Sequence, residues 1–267
     1  MKKTALLIID PQNDFCDPRG SLYINGAQED CRRLAAFVNS YSDEIHEIYV
    51  TLDSHHNYHI AHPLYWIDEK GNHPDPFTII SNEDIQSEKW KTTRPADRDH
   101  GAQYVKTLGR KGKYSLCIWP PHCLIGSWGT QIQDNLFEAL SSWEKRKVSL
   151  VHKIFKGSHP GTEHYGAFEA EVPLKEDKST ELREDIVAKL NEADRVIIAG
   201  EALDYCVANS VRQLIGSLGD KDIGKLVLLE DCCSSVDPSP GRSSAFLEEM
   251  RDRGMKTIRS TEIVNFK

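Results

Sequence analysis

The chain has 267 residues, of which 39% are hydrophobic and 28% are charged, enough for one sizeable core but too few for several full domains. Its 33 Lys and Arg residues against 41 Asp and Glu residues give a net charge of −8, which disfavours nucleic acid and anionic membranes as main partners. The first apolar run, residues 5–9, is too short for a signal sequence or a membrane span of about 20 residues.

The cysteines form an odd set at irregular spacings, without any pair separated by two residues. This pattern does not resemble a secreted disulfide framework, so we expect a cytoplasmic protein with reduced thiols. Six of the seven are expected to be small buried apolar residues. These six are Cys16, Cys31, Cys117, Cys123, Cys232 and Cys233.

Short β-rich apolar runs alternate with amphipathic helical patterns along the chain. The predicted strands are residues 6–9, 45–52, 148–155, 195–199 and 225–229, with a final strand at 255–258. The predicted helices are residues 27–42, 131–147, 180–192, 205–218 and 243–253. This order is typical of an α/β fold with a mostly parallel sheet covered by helices on both faces.

One connection, at about residues 60–129, is long for a link between a strand and a helix, and it is rich in Pro, Asp, Lys and Trp. We expect an elaborated insertion near a site, within a single domain that spans residues 1–267. Over residues 72–109, a partly ordered surface excursion is an equally weighted alternative.

Reactive side chains follow the predicted strands at the point where each strand ends. Asp10 follows the first strand, Asp53 and His55 follow the second, Lys156 follows the third, and Cys206 begins the helix after the fourth. Open parallel sheets bind ligands beyond the carboxyl ends of their strands. The sequence therefore predicts that a carboxylate, metal ligands, an ammonium group and a thiol meet at one edge of the sheet.

Cys206 has the surroundings that activate a thiol. A helix N-terminus and a nearby cation such as Lys156 both lower the pKa of a thiol, and a thiolate is the nucleophilic form. Asp10 is placed to accept the thiol proton and to return it to a leaving amine. We therefore predict nucleophilic catalysis by Cys206.

Oxygen and imidazole donors near the second strand indicate a metal site. Asp53, His55 and His59, together with His122, suit zinc, iron or manganese. The other histidines are expected to be solvated or structural. These are His46, His56, His62, His73, His100, His152, His159 and His164.

Five segments, in this order, resemble the isochorismatase-like cysteine hydrolases and, within that family, the nicotinamidases. They are residues 6–15 (LLIIDPQNDF), residues 51–55 (TLDSH) with His59, residues 119–123 (WPPHC) with Gly126, residues 156–157 (KG) and residues 200–207 (GEALDYCV). Each segment alone is a weak signal. Together they run through nearly the whole chain.

The resemblance implies a catalytic triad of Asp10, Lys156 and Cys206. It also implies an oxyanion hole made by the backbone amides of Ala202 and Cys206, and a cis peptide bond between Glu201 and Ala202. The fold that it implies is the α/β architecture expected above.

For the metal, the resemblance implies one divalent ion held by Asp53, His55 and His122, with His59 as a further candidate. Zinc is the first expectation, and iron and manganese are the alternatives.

Three aromatic residues, Phe15, Trp119 and Tyr165, match positions that line the pocket for an aromatic substrate in nicotinamidases. Their alternative interpretation is ordinary core packing.

The chain departs from the family pattern at some positions. Leu203 stands where the family usually has Thr, Glu201 stands where an apolar residue is common, and the insertion is longer than in small nicotinamidases. Cys206 itself argues against the isochorismate-cleaving branch, which lacks this nucleophile.

The function implied is hydrolysis of a small amide through a thioester, with nicotinamide converted to nicotinate and ammonia. Alternatives are an amidase for another small amide or ureide, and a non-catalytic ligand-binding or scaffold protein. A binding module needs no nucleophile beside an acid and a base, which disfavours the last alternative. A place in pyridine nucleotide biosynthesis follows from the resemblance, and a homo-oligomer is expected by analogy only.

Overall fold

The central strands consist of apolar and β-branched residues, because the sheet that they form is covered on both faces. In the computed structural model, which describes residues 2–111, 115–237, 239 and 241–262, every residue of the first strand (Thr4–Ile9) is buried. Side chains alternate between the two faces of a strand, so burial at every position requires a layer on each side of the sheet.

The described residues form the following strands and helices. The strands are β1 (Thr4–Ile9), β2 (Glu47–Asp53), β3 (Trp66–Ile67), β4 (Ile79–Ile80), β5 (Lys91–Thr92), β6 (Leu116–Cys117), β7 (Val151–Lys156), β8 (Arg195–Gly200), β9 (Leu226–Leu229) and β10 (Lys256–Ile258). The α-helices are α1 (Asn13–Cys16), α2 (Ala27–Ser40), α3 (Asn82–Gln86), α4 (Arg98–Lys111), α5 (Asp134–Lys147), α6 (Glu184–Asn191), α7 (Ala208–Leu218) and α8 (Gly241–Asp252).

Six strands form the main sheet in the order β10-β9-β8-β1-β2-β7, and every neighbouring pair is parallel. The predicted α/β fold with a mostly parallel sheet is therefore confirmed. The four strands that were predicted to carry reactive side chains lie next to one another, as β8, β1, β2 and β7. Their carboxyl ends consequently share one edge of the sheet.

Several boundaries differ from the predictions by a few residues, and two of these differences have clear local reasons. The third strand begins at Val151 rather than at residue 148, because Val148 ends α5 in the left-handed conformation with φ of 48°. The predicted helix over residues 180–192 begins at Glu184, because Lys178–Thr180 forms a separate 3-10 turn and the Arg183 amide donates to the Phe168 carbonyl.

The insertion forms regular structure, including over residues 72–109. β3 pairs with β5 and β4 with β6, both antiparallel, and α4 packs onto the loop that follows β7. His100 Nε2 lies 2.7 Å from the Gly161 carbonyl oxygen, and the Glu163 amide donates to Tyr104 Oη at 3.1 Å. Residues 112–114 lie outside the described residues. A single domain over residues 1–267 stays a prediction.

All seven cysteines are buried and free of disulfide bonds, whereas the sequence predicted burial for six of them and not for Cys206. Within the described residues, no helix is long and apolar enough to cross a membrane.

Candidate active site

The register of the parallel strands brings the predicted catalytic side chains together. Asp53 at the end of β2 pairs with Lys156 at the end of β7, and Asp10 directly follows Ile9, the residue of β1 that pairs with Gly200. The chain after Gly200 leads to Cys206. The edge of the sheet thus collects one thiol, one ammonium group and two carboxylates.

Lys156 lies at the centre of this group, although it is only 1% exposed. Its Nζ lies 2.8 Å from Asp10 Oδ2, 3.1 Å from Asp53 Oδ1 and 3.8 Å from Cys206 Sγ. It also donates to the His164 carbonyl oxygen at 2.9 Å. A buried ammonium group in contact with two carboxylates is held by charge as well as by hydrogen bonds.

The charges of this group set its pKa values. Burial opposes the charge of Lys156, but the carboxylates of Asp10 and Asp53 outweigh it and raise the pKa of Lys156 well above 10.5. Burial raises the pKa of Asp10 above 3.8, although the Lys156 cation opposes this rise. Asp53 differs: burial would raise its pKa, but His55 and Lys156 hold it well below 3.8. Asp10 is therefore the carboxylate better suited to exchange protons.

Cys206 lies in a single π-helical turn (Leu203–Val207) that leads directly into α7. Its side chain is almost fully buried, and it lines a pocket. Burial raises the pKa of the Cys206 thiol well above 9.0, Lys156 lowers it, and the negative charges of Asp10 and Asp53 raise it further. The sequence predicted a lowered pKa for Cys206. That prediction rested on the cation and the helix N-terminus and left out the burial and the two carboxylates. The nucleophile therefore needs a base beside it.

Thr51 fixes the position of Asp10, and sequence reasoning missed it. The Asp10 amide donates to Thr51 Oγ1 at 2.9 Å, and that hydroxyl donates to Asp10 Oδ1 at 2.5 Å. Asp10 has φ of 43°, a left-handed conformation that is uncommon outside glycine. The strand-end carboxylate is thus held in an unusual backbone conformation by a buried threonine on the neighbouring strand.

Ala202 and Cys206, whose amides are the predicted oxyanion donors, both line the pocket. The peptide bond between Glu201 and Ala202 is cis, as the resemblance implies. The carbonyl of Ala202 accepts from the amides of Tyr205 and Val207 at 3.2 and 3.0 Å, which curls the chain around this point.

Glu201, which replaces a commonly apolar residue, is 1% exposed. Its Oε2 accepts from the Ser234 amide at 2.9 Å, and the hydroxyl of Ser234 donates to Asp30 Oδ2 at 2.5 Å. The Ser234 carbonyl accepts from the Leu203 amide at 2.8 Å. Burial, and then the charges of Asp30 and Cys31, raise the pKa of Glu201 well above 4.5.

Glu201→Gln should raise the free energy of unfolding, relative to that of the wild type, progressively as pH rises. A raised pKa in the folded state gives stability that is complete below pH 4.5 and declines above it, and glutamine does not titrate. Urea unfolding at pH 5 and pH 8 should show the difference between variant and wild type growing by about 1 kcal/mol or more. Glu69→Gln, at an exposed position, is the control. A difference in free energy of unfolding that does not change with pH would contradict a raised pKa for Glu201 in the folded protein.

The pocket beside Cys206 has aromatic walls. Phe15, Trp119 and Tyr165, the three residues that the resemblance assigns to substrate binding, all line it. Trp119 Nε1 donates to Tyr165 Oη at 3.0 Å, and the Trp119 ring packs edge-on against Tyr205 with centroids 5.1 Å apart. These rings leave a slot suited to a flat molecule.

The candidate metal ligands also lie at this pocket. Asp53 Oδ2 lies 2.9 Å from His55 Nε2 and 3.4 Å from His122 Nε2, and Asp53 and His122 both line the pocket. The ring of Phe15 lies 5.3 Å from the ring of His122. One carboxylate and two imidazoles therefore converge next to the aromatic slot, and this donor set suits zinc, iron or manganese.

Three buried residues of this region were missed in the sequence. His62 and His164 were expected to be solvated or structural, and neither is solvated: His62 is fully buried beside His55 and His122, and His164 is 3% exposed and accepts from Lys156 through its carbonyl group. Glu163 lines the pocket, with Oε1 3.9 Å from His55 Nε2. All three lie in irregular segments, where no periodic pattern indicates which side chains point inward.

The chain is similar to known proteins both in sequence and in structure. No family model matches it. The nicotinamidase of Saccharomyces cerevisiae is 23% identical over 255 residues, which cover 95% of this chain and 98% of the relative. The crystal structure of the yeast nicotinamidase bound to the inhibitor nicotinaldehyde superposes with a TM-score of 0.67 at 20% identity, covering 96% of this chain and 99% of that chain.

A pyrazinamidase of Pyrococcus horikoshii in complex with zinc has a TM-score of 0.57 at 19% identity, covering 96% of this chain and 99% of that chain. The matches therefore extend over nearly the full length of the proteins on both sides. In sequence and architecture, the chain resembles the nicotinamidase branch of the isochorismatase-like hydrolases and has their fold.

Proposed function

We propose that this protein hydrolyses a small planar amide, nicotinamide in the first place, to the carboxylate and ammonia. The observation that carries the proposal is the contact of Lys156 with both Asp10 and Cys206, because Cys206 also lines the aromatic pocket. A buried thiol, carboxylate and ammonium group in one cluster are the parts that covalent amide hydrolysis requires. The similarity to nicotinamidases supports the choice of nicotinamide.

In the first half of the reaction, Asp10 accepts the proton of the Cys206 thiol and the sulfur attacks the amide carbon. The backbone amides of Ala202 and Cys206 stabilise the resulting oxyanion. Asp10 then gives its proton to the departing nitrogen, the carbon–nitrogen bond breaks, and ammonia leaves. The acyl group remains on Cys206 as a thioester.

In the second half, Asp10 accepts a proton from water, whose oxygen attacks the thioester carbon. The carbon–sulfur bond breaks, Asp10 returns its proton to the sulfur of Cys206, and the carboxylic acid leaves and loses its remaining proton to solvent as the carboxylate. Lys156 keeps its charge throughout, because its pKa lies well above 10.5, and it holds Asp10 in place. A buried carboxylate with a raised pKa suits this repeated exchange of one proton.

Asp53, His55 and His122 would hold a divalent ion, with zinc as the first candidate. When bound, such an ion supplies Lewis-acid polarisation of a ring nitrogen or carbonyl in the slot. The structure of a pyrazinamidase of similar fold in complex with zinc supports a divalent metal in this protein. A cytoplasmic location, a homo-oligomeric assembly and a place in pyridine nucleotide biosynthesis stay predictions.

We expect kcat/KM for nicotinamide and pyrazinamide to exceed that for aliphatic amides and ureides by at least about tenfold, or roughly 1.4 kcal/mol in transition-state binding. The reason is the aromatic lining of the pocket, which includes Phe15 and Trp119 and against which a flat ring packs better than a short chain. Ammonia release from a panel of such amides is the measurement. A tenfold preference for the non-aromatic set would move the substrate away from nicotinamide and leave the cysteine mechanism in place.

A further inference from the structure

His62 has one ring nitrogen with a partner and one without. Its side chain is fully buried, and Nδ1 lies 3.1 Å from the carbonyl oxygen of His56. A carbonyl only accepts hydrogen bonds, so Nδ1 carries the hydrogen and Nε2 of the neutral ring has a lone pair. Within the described part of the chain, this buried Nε2 has no hydrogen-bond partner. Such an atom has lost water without compensation.

The contact of Nδ1 with a backbone carbonyl recurs at the two histidines beside it, whose Nε2 atoms face Asp53. Nδ1 of His55 lies 2.9 Å from the Gly157 carbonyl oxygen, and Nδ1 of His122 lies 2.8 Å from the Pro120 carbonyl oxygen. A backbone carbonyl on one ring nitrogen is the usual support for an imidazole that binds metal through the other.

The three rings also converge. The ring of His62 lies 5.2 Å from the ring of His55 and 5.3 Å from that of His122. The possible ligand atoms of the three histidines all lie within 4.8 Å of one another.

His59, the further candidate from the sequence, differs in this respect. Its Nε2 lies 3.1 Å from the Thr162 carbonyl oxygen, and its Nδ1 accepts from the Ala61 amide at 3.3 Å. Both ring nitrogens are therefore occupied by backbone groups. His59 could join His55 and Glu163 around an ion only by giving up one of these two backbone contacts.

We infer that His62, and not His59, is a ligand of the divalent ion. The inference rests on the metal site of the proposed function and extends it to Asp53, His55, His62 and His122, a set of one carboxylate and three imidazoles. Three nitrogen donors favour zinc and related transition metals over magnesium and calcium. His59 then serves to hold the segment around it through its two backbone contacts.

The first test is zinc affinity of the full chain, measured by competition with a chromophoric chelator after the protein has been stripped of metal. His62→Gln should raise the dissociation constant for Zn²⁺ by at least about tenfold, whereas His59→Gln, whose amide can still donate to Thr162, should leave it near the wild-type value. Equal affinities for wild type and His62→Gln, or a loss confined to His59→Gln, would overturn the inference.

The second test gives a positive signal and does not depend on the first variant folding well. Cobalt-substituted His62→Cys should show thiolate-to-cobalt charge-transfer absorption that is missing from the wild type and from His59→Cys. Absorption in His59→Cys alone would assign the ligand to position 59. Neither test uses turnover, so a protein that binds zinc as described but hydrolyses no amide would refute the proposed function and leave this inference standing.

Discussion

Cys206→Ala should lower kcat/KM for the best amide substrate by at least about a thousandfold. The variant keeps the pocket and the buried charges of Asp10 and Lys156 but has no atom that can form the thioester. Because cysteine and alanine differ by one sulfur atom, and Cys206 lines the pocket, the fold should persist. Ammonia release and circular dichroism on the same preparation measure both statements.

The matched control for this variant is Cys232→Ala, which removes a buried thiol outside the pocket. It should keep activity close to the wild-type value. Mass spectrometry should also find that iodoacetamide labels Cys206 before the other thiols, because Cys206 faces the pocket and has Asp10 as a base. A fully active Cys206→Ala protein would exclude the thioester mechanism.

Lys156→Met should abolish activity and also lower the free energy of unfolding by about 3–5 kcal/mol. The substitution leaves the carboxylates of Asp10 and Asp53 buried without the cation that contacts both. Urea unfolding measures the loss of stability. Lys153→Met is the matched control, because Lys153 lies on the same strand with an exposed side chain. It should change neither activity nor stability appreciably.

Combining Lys156→Met with Asp10→Asn tests whether these residues act as a unit. The double variant should be more stable than the sum of the two single losses predicts, because the neutral amide introduced by Asp10→Asn no longer needs the cation. Its activity should be little lower than that of either single variant. Losses of activity that multiply would show that Asp10 and Lys156 act independently.

The sequence was sufficient to predict the sheet and the side chains at its edge. Apolar runs identify β1, β2, β7 and β8, and parallel strands present their carboxyl ends on one side, so Asp10, Asp53 and Lys156 were expected at the same edge of the sheet. The strand order that makes these strands neighbours was not readable from the residues. The resemblance to a family supplied the oxyanion segment and the cis peptide bond.

The side chains that the sequence could not assign lie where no pattern determines their direction. His59 and His62 are three residues apart in an irregular segment, and both are buried, so only the hydrogen bonds of each ring separate their roles. Thr51 resembles any buried strand residue until its hydroxyl is seen on Asp10. The pKa of Cys206 depends on burial, which spacing along the chain does not reveal.

Carbon-13 NMR of pyridine-3-carbaldehyde, labelled at its aldehyde carbon, tests most directly whether Cys206 attacks the substrate carbonyl. An aldehyde cannot lose ammonia, so its adduct with the enzyme accumulates instead of turning over. With the wild type, the label should move to the position of a tetrahedral carbon bonded to sulfur, and with Cys206→Ala this signal should be missing. An adduct that persists in Cys206→Ala, or an imine signal from Lys156, would contradict Cys206 as the nucleophile.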